Sequence, residues 1–174
     1  MVPMRRLSMA ASSLLLAAVL LYAAKVPRPA PDFSFSLPNG KLVKLSDFKG
    51  QVVVLEFLLT TCPGCKKASA ALQRVYEELG GRGFQPLGVA INDGAAELVP
   101  GFVRELRLTY PVGVSNRFKA VDFLEHPVML TMYMPQMVFI DKKGIIRAQH
   151  GGADDFFKNE DENIKKLVSE LLKE

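Results

Sequence analysis

Only two cysteines stand in this chain, and they lie two residues apart, as Cys62-Pro63-Gly64-Cys65. An apolar run from Val52 to Leu59, interrupted by Glu56 alone, precedes them and reads as a buried strand. Behind them Ala68, Ala71, Leu72, Val75 and Leu79 recur at helical spacing, which predicts a helix over about 63–79. Pro63 suits the first helical position, where a missing N–H costs nothing. The pair therefore falls where a strand turns into a helix, with Cys62 at the cap. Unpaired N–H groups and the positive end of the helix dipole favour a thiolate at such a place, and make it a nucleophile. A second thiol one turn on can resolve the mixed disulfide that the first one forms. An inert staple is the weaker reading, because so short a loop constrains the unfolded chain little. Half a zinc site is weaker still, since no second Cys/His pair follows at ligand spacing, and no metal site is assigned.

The 174 residues make one domain with an N-terminal appendage. The net charge of +4 belongs to that appendage: Arg5, Arg6, Lys25 and Arg28 fall in residues 1–30, which hold no acid. The rest is neutral, with no basic patch of the kind that nucleic acid requires. Arg5-Arg6 followed by the uncharged stretch Leu7 to Ala24 reads as an export signal or membrane anchor over residues 1–24. Cleavage after Ala24 or Ala23 would leave Tyr22 or Leu21 where a small residue is wanted, which favours an uncleaved anchor. The arginines place the N-terminus in the cytoplasm and the domain outside, tethered to the inner membrane. Residues 25–32, with three prolines, read as an extended linker, and 33–174 as the folded domain.

Alternation in 33–37 and 41–45 around Pro38-Asn39-Gly40 predicts a β-hairpin, followed by a bend over 46–50. Strands are expected over 86–91 and 112–114, and helices over 95–107, with Pro100 near its firm start, and over 116–124. A second hairpin is expected from 136–140 and 145–149, and a final amphipathic helix over 155–172. Strands alternating with helices and bounded by hairpins give an α/β fold: a mixed sheet flanked by helices on both faces, extended by an N-terminal hairpin.

Glu56 is costly inside so apolar a strand unless it serves a purpose. A carboxylate in such a site has a raised pKa and can accept a thiol proton near neutral pH, which makes it a candidate general base for Cys65. Met129, Met132, Met134 and Met137, with His126, offer soft ligands for Cu(I) if they converge. As adaptable lining of an apolar groove they need no metal, and that reading is preferred. His150 reads as a surface residue, Lys66 and Lys67 as solvated or as electrostatic support for a thiolate.

The order strand, Cys-x-x-Cys, helix, then a proline entering a hairpin strand resembles the thioredoxin fold. In detail the chain resembles the TlpA/ResA-like branch, membrane-tethered extracytoplasmic thiol–disulfide oxidoreductases. Three stretches carry this: Ala30 to Gly50, Phe57 to Cys65, and Met134-Pro135-Gln136 to Gly144. The resemblance implies a thioredoxin-like domain with Cys62 attacking, Cys65 resolving and Glu56 in the place of a buried acid. It also implies a cis Pro135 facing the disulfide, with Met134, Pro135, Pro63 and Gly64 against the substrate. No cofactor is implied beyond the Cys62–Cys65 disulfide. Partners would be exported proteins with exchangeable cysteines, apocytochrome c among the candidates, and a membrane electron-donor protein that recharges the pair. Thr61 stands where the family usually has tryptophan, and Leu58 where it has another aromatic. Two rivals share the fold. Sco-like Cu(I) metallochaperones separate their cysteines by three residues, and peroxiredoxin-type peroxidases place a threonine where this chain has Leu59.

Overall fold

The computed structural model describes residues 25–174; the readings of residues 1–24 lie outside the described residues. The strands are β1 (Arg28–Pro29), β2 (Ser34–Ser36), β3 (Leu42–Lys44), β4 (Val52–Leu58), β5 (Phe84–Ala90), β6 (Val112–Val114), β7 (Gln136–Ile140) and β8 (Ile145–Gly151). The α-helices are α1 (Pro63–Leu79), α2 (Ala95–Leu106), α3 (Arg117–Phe123) and α4 (Glu160–Leu172). Among these residues no helix is long and apolar enough to cross a membrane.

The strands form one sheet in the order β1-β8-β7-β4-β5-β6-β2-β3. β4, β5 and β6 run parallel, while β7 lies antiparallel against β4. Every residue of β4 is buried, as a central strand covered on both faces must be. Its alternate residues enter two cores. Val52, Val54 and Leu58 meet Ala68, Leu72 and Val75 of α1, Val99 and Phe102 of α2, and Ile164 and Val168 of α4. Val53, Leu55 and Phe57 face the other way, against Phe33 and Phe35 of the hairpin region and Ala120 and Phe123 of α3. Phe33, Phe57 and Phe123 meet there with ring centroids 5.3–5.8 Å apart. Helices thus cover both faces, as expected.

Three expectations change in detail. The linker 25–32 is drawn partly into the sheet, because Arg28–Pro29 pairs with Ile145 and Ile146 of β8. The Arg28 guanidinium donates to the Phe123 carbonyl at 3.0 Å and to Gln149 Oε1 at 3.2 Å, which ties the segment down. α2 begins at Ala95, ahead of Pro100, because the ring forfeits a single bond in the second turn while Val99 and Phe102 bury against the core. The last helix is two pieces, a 3₁₀ turn over Asp155–Lys158 and then α4, separated at Asn159, whose backbone leaves the helical region. The acidic residues Glu160, Asp161 and Glu162 then form the first turn of α4, where the dipole favours them.

The hairpin joins the sheet through one close approach. A Cβ on Gly113 of β6 would collide with the Ser36 carbonyl and the Phe35 ring. Gly113→Ala should therefore destabilise the domain by about 1–3 kcal/mol. A drop in the urea midpoint, with exposure of Phe33 and Phe35, checks it; an unchanged midpoint would show that the β2–β6 seam is slack.

Candidate active site

β4 ends at Leu58, and the chain makes one tight turn before α1. The Cys62 N–H donates to the Leu59 carbonyl at 3.1 Å, and the Lys66 N–H to the Cys62 carbonyl at 3.0 Å. Asn92 Oδ1, from the end of β5, accepts the Thr60 N–H at 2.9 Å and fixes the turn from the neighbouring strand. Cys62 is the N-cap of α1 with extended backbone, and Pro63 occupies N1. Cys62 is half-buried and Cys65 fully buried; both are free thiols. Cys65 Sγ accepts the Leu59 N–H at 3.4 Å. Burial pushes the Cys65 thiol far above its ordinary value, the Leu59 N–H opposes this, and the charge of Glu56 and the Cys62 thiol add to the rise.

Glu56 lies at the centre of β4, beside Gly88 of β5 and Met137 of β7 in register. It is wholly buried. Ser69, one turn after Cys65 on the buried face of α1, donates its hydroxyl to Glu56 Oε2 at 2.7 Å. Oε1 has no hydrogen-bond partner. Desolvation lifts the Glu56 carboxyl to about 8, and the Ser69 bond holds it from rising further. Tyr110 closes the cluster: its hydroxyl donates to the Ser69 carbonyl at 3.3 Å. Burial, and then the Glu56 charge, push the Tyr110 phenol well up. Glu56 therefore does not reach water at a strand edge, and the acid sits under the helix that carries both thiols.

The Met134–Pro135 peptide bond is cis. The loop meets the cysteine motif at Gly64, where an added Cβ would lie 3.8 Å from Cys62 Sγ, 3.9 Å from the Met134 carbonyl oxygen and 3.9 Å from Pro135 Cδ. Behind the loop, a Cβ on Gly152 would collide with the Met134 carbonyl. The Gly152 N–H donates to the Tyr133 carbonyl at 3.0 Å, as does Gln136 Nε2 at 2.6 Å. Cys62, Pro63, Gly64, Met134 and Pro135 thus converge at one end of the sheet, with Cys65 and Glu56 beneath.

Other candidates disperse. Met137 is buried in one core, Met132 in the other, and Met129 points into solvent, so these thioethers neither converge on a metal nor line one groove. His126 Nδ1 lies 3.0 Å from the Pro127 carbonyl. Lys66 is held by Glu105 at 2.8 Å and Lys67 by the buried Glu160 at 2.9 Å; both pin the start of α1 to neighbouring helices. His150 stacks on Phe156 at 4.1 Å and lies 3.5 Å from Asp154; burial lowers its pKa, against the Asp154 charge. Ser69, Tyr110 and Gly152 were not singled out from sequence. Ser69 was within reach, four residues beyond Cys65 on a buried helical face. Tyr110 reaches the site through tertiary packing alone.

The AhpC/TSA family matches residues 26–149. The chain belongs to the AhpC/TSA family. Thiol-disulfide oxidoreductase ResA of Oceanobacillus iheyensis is 31% identical over 113 residues, 63% of this chain and 58% of that protein. Chloroplastic peroxiredoxin Q of Triticum aestivum is 29% identical over 120 residues, 67% of this chain and 54% of that one. The chain spans little more than half the length of these curated relatives. A thiol:disulfide interchange protein of the thioredoxin family from Chlorobium tepidum superposes with a TM-score of 0.68 at 23% identity, over 86% of this chain and 99% of that one. The fold is thioredoxin-like, and the kinship with TlpA/ResA-like thioredoxin-fold oxidoreductases holds.

An acid lifted by burial binds its proton more tightly folded than unfolded. Between about 4.5 and about 8 the folded protein holds the extra proton, so stability falls as pH rises across that window. The decline is at most ~1.4 kcal/mol per pH unit for one group. Glu56→Gln should flatten it, leaving the variant more stable than the parent at pH 8. Urea titrations at several pH values measure this, and parallel curves for the two proteins would exclude a buried acid.

Proposed function

We propose that the chain is a thiol–disulfide oxidoreductase that reduces disulfides in exported proteins. The supporting observation is one alignment: a half-buried Cys62 at a helix cap, opposite the cis Met134–Pro135 bond, with Cys65 and Glu56 buried behind it. The Cys62 thiolate attacks one sulfur of a partner disulfide, and the other sulfur leaves as a thiolate. The Met134 backbone and Pro135 hold the partner segment beside the mixed disulfide. Cys65 then gives its proton to the Glu56 carboxylate and attacks Cys62 Sγ. The Cys62–Cys65 disulfide forms, the partner's second thiolate departs, and the partner has gained two electrons.

Cys65 needs help because its site resists a thiolate. Glu56 can accept that proton only in its ionised form, whose share grows as pH rises through about 8. Resolution should quicken over the same range. The domain works outside the cytoplasmic membrane, held by residues 7–24 or released if that segment is cleaved, and a membrane electron donor re-reduces it. Reduction of cytochrome c precursors fits this role. The Cu(I) metallochaperone reading loses its main support, because the methionines part company.

Cys65→Ser should accumulate the mixed disulfide with an oxidised protein substrate, whereas Cys62→Ser should form none. Glu56→Gln should slow release of the mixed disulfide by roughly 100-fold and abolish its rise near pH 8. Acid-quenched gels over a pH series report both. Equal resolution rates for parent and Glu56→Gln would remove the acid from the mechanism. A redox titration should place the pair nearer thioredoxin, about −270 mV, than the strongest oxidants of this fold, about −120 mV.

A further inference from the structure

The exposed apolar surface near the thiols is concentrated in a few side chains. Val128 is 84% exposed and Met129 90%, with Leu130 and Tyr133 more than half exposed. Phe118, in the first turn of α3, is 86% exposed. From Pro127 to Ile140 no charged residue occurs. Single exposed apolar residues are ordinary, but three in a row at one loop tip are not.

Topology places these residues at the end of the sheet that carries Cys62. β4 and β6 are both parallel to β5, and β7 runs against β4, so the ends of β4 and β6 and the start of β7 coincide. Phe118 follows β6, and the loop over 128–133 leads into β7. The loop leans towards β8, where His126, Thr131 and Tyr133 share a cleft with Gly151 and Asp154.

The N-terminal stretch enters beside the root of this loop. Besides its bond to the Phe123 carbonyl, Arg28 lies 3.5 Å from the Glu125 carboxylate. β1 runs antiparallel to β8, so followed backwards from Arg28 the chain heads for the Cys62 end. Three residues, at most about 11 Å, separate Arg28 from Lys25. Immediately before Lys25 lies the uncharged stretch Leu7 to Ala24.

We propose that the tip Val128–Leu130, together with Phe118, rests in the interfacial layer of the membrane that Leu7–Ala24 enters, so that the Cys62 end of the domain faces the bilayer. The proposal rests on the reading of that stretch as an anchor. Val, Met, Leu and Phe side chains gain by leaving water, and the amphipathic ring of Tyr133 suits the headgroup level. Arg117 and Lys119 flank Phe118 and favour anionic headgroups. A tether this short keeps the tip at high effective concentration near the lipid, so a small patch suffices. The orientation sets Cys62 within reach of an electron donor embedded in the same membrane.

The chain has no tryptophan, so one introduced tryptophan is an unambiguous reporter. The full chain carrying Met129→Trp is reconstituted into vesicles of phosphatidylcholine and phosphatidylglycerol with brominated acyl chains. Its emission should shift to the blue and be quenched several-fold more than that of Lys143→Trp, an exposed position in the β7–β8 turn at the opposite end of the sheet from Cys62. Leu130→Trp is the second reporter if Met129→Trp fails to fold, as judged by far-UV circular dichroism. Equal quenching at both positions in vesicle-bound protein overturns the loop contact and leaves the anchor standing. Protein that does not float with the vesicles overturns both. A blue shift without lipid that grows with protein concentration, or one that needs an added oxidised protein, gives the tip to another occupant and overturns the proposal.

Discussion

The centre of this protein is a carboxyl group that the fold keeps dry. Glu56 lies in the middle of the most buried strand, under the helix that begins with the two cysteines, with one hydroxyl as its partner. An unpaired charge there would cost several kcal/mol, so the group holds its proton at neutral pH. The proton is the link between stability and chemistry. A carboxyl that ionised to take a proton from Cys65, as proposed, would destabilise the core each time it did so. The chain keeps an acid where leucine or valine would pack more stably, the kind of local inconsistency expected of a working site.

The neighbours of Glu56 show how such a group is accommodated. Gly88 leaves the adjacent strand without a side chain at its level, and a Cβ there would meet Val112 at 3.1 Å. Ser69 satisfies one oxygen, and Tyr110 locks the Ser69 backbone from the segment after α2. Lys67 and Lys66 bind carboxylates of α4 and α2 at the start of the same helix. The first turn of α1 is therefore braced from below and from both sides, and Cys62 is carried at its rim. Exchange chemistry needs that rigidity, since attacked and attacking sulfurs must line up in each step.

The local signals in the chain were strong where periodicity was strong. β4, α1, β6 and β7 fall almost on the residues that alternation and helical spacing indicated, and the Cys62–Cys65 pair, Glu56 and Pro135 were legible as a set. The failures share a cause. The Pro-rich stretch 25–32 read as linker because prolines weaken strands, yet Arg28 finds buried carbonyl and amide partners some hundred residues away. The methionines read as a cluster because they are close in sequence; the alternation of β7 and the burial of Met132 send them to different cores. Tyr110 and Gly152 bear on the site solely through tertiary contact, which no local pattern encodes.

The substitution of Thr61 where the family usually has tryptophan gains meaning from the loop ahead of the cis proline. Thr61 is exposed and small, so the surface just before Cys62 offers a partner little apolar area. Exposed apolar area lies instead on the loop ahead of the cis Pro135, at Tyr133. A partner segment pressed against the tryptophan wall would be held by the element that carries the nucleophile. On the proposed function it is held instead by the element that carries the cis proline, where the Tyr133 carbonyl accepts from Gly152 after β8 and from Gln136 of β7. Recognition and attack would then reside on separate parts of the chain. On that proposal partner preference can change at Met134 without disturbing the helix cap at Cys62 or the buried acid beneath it.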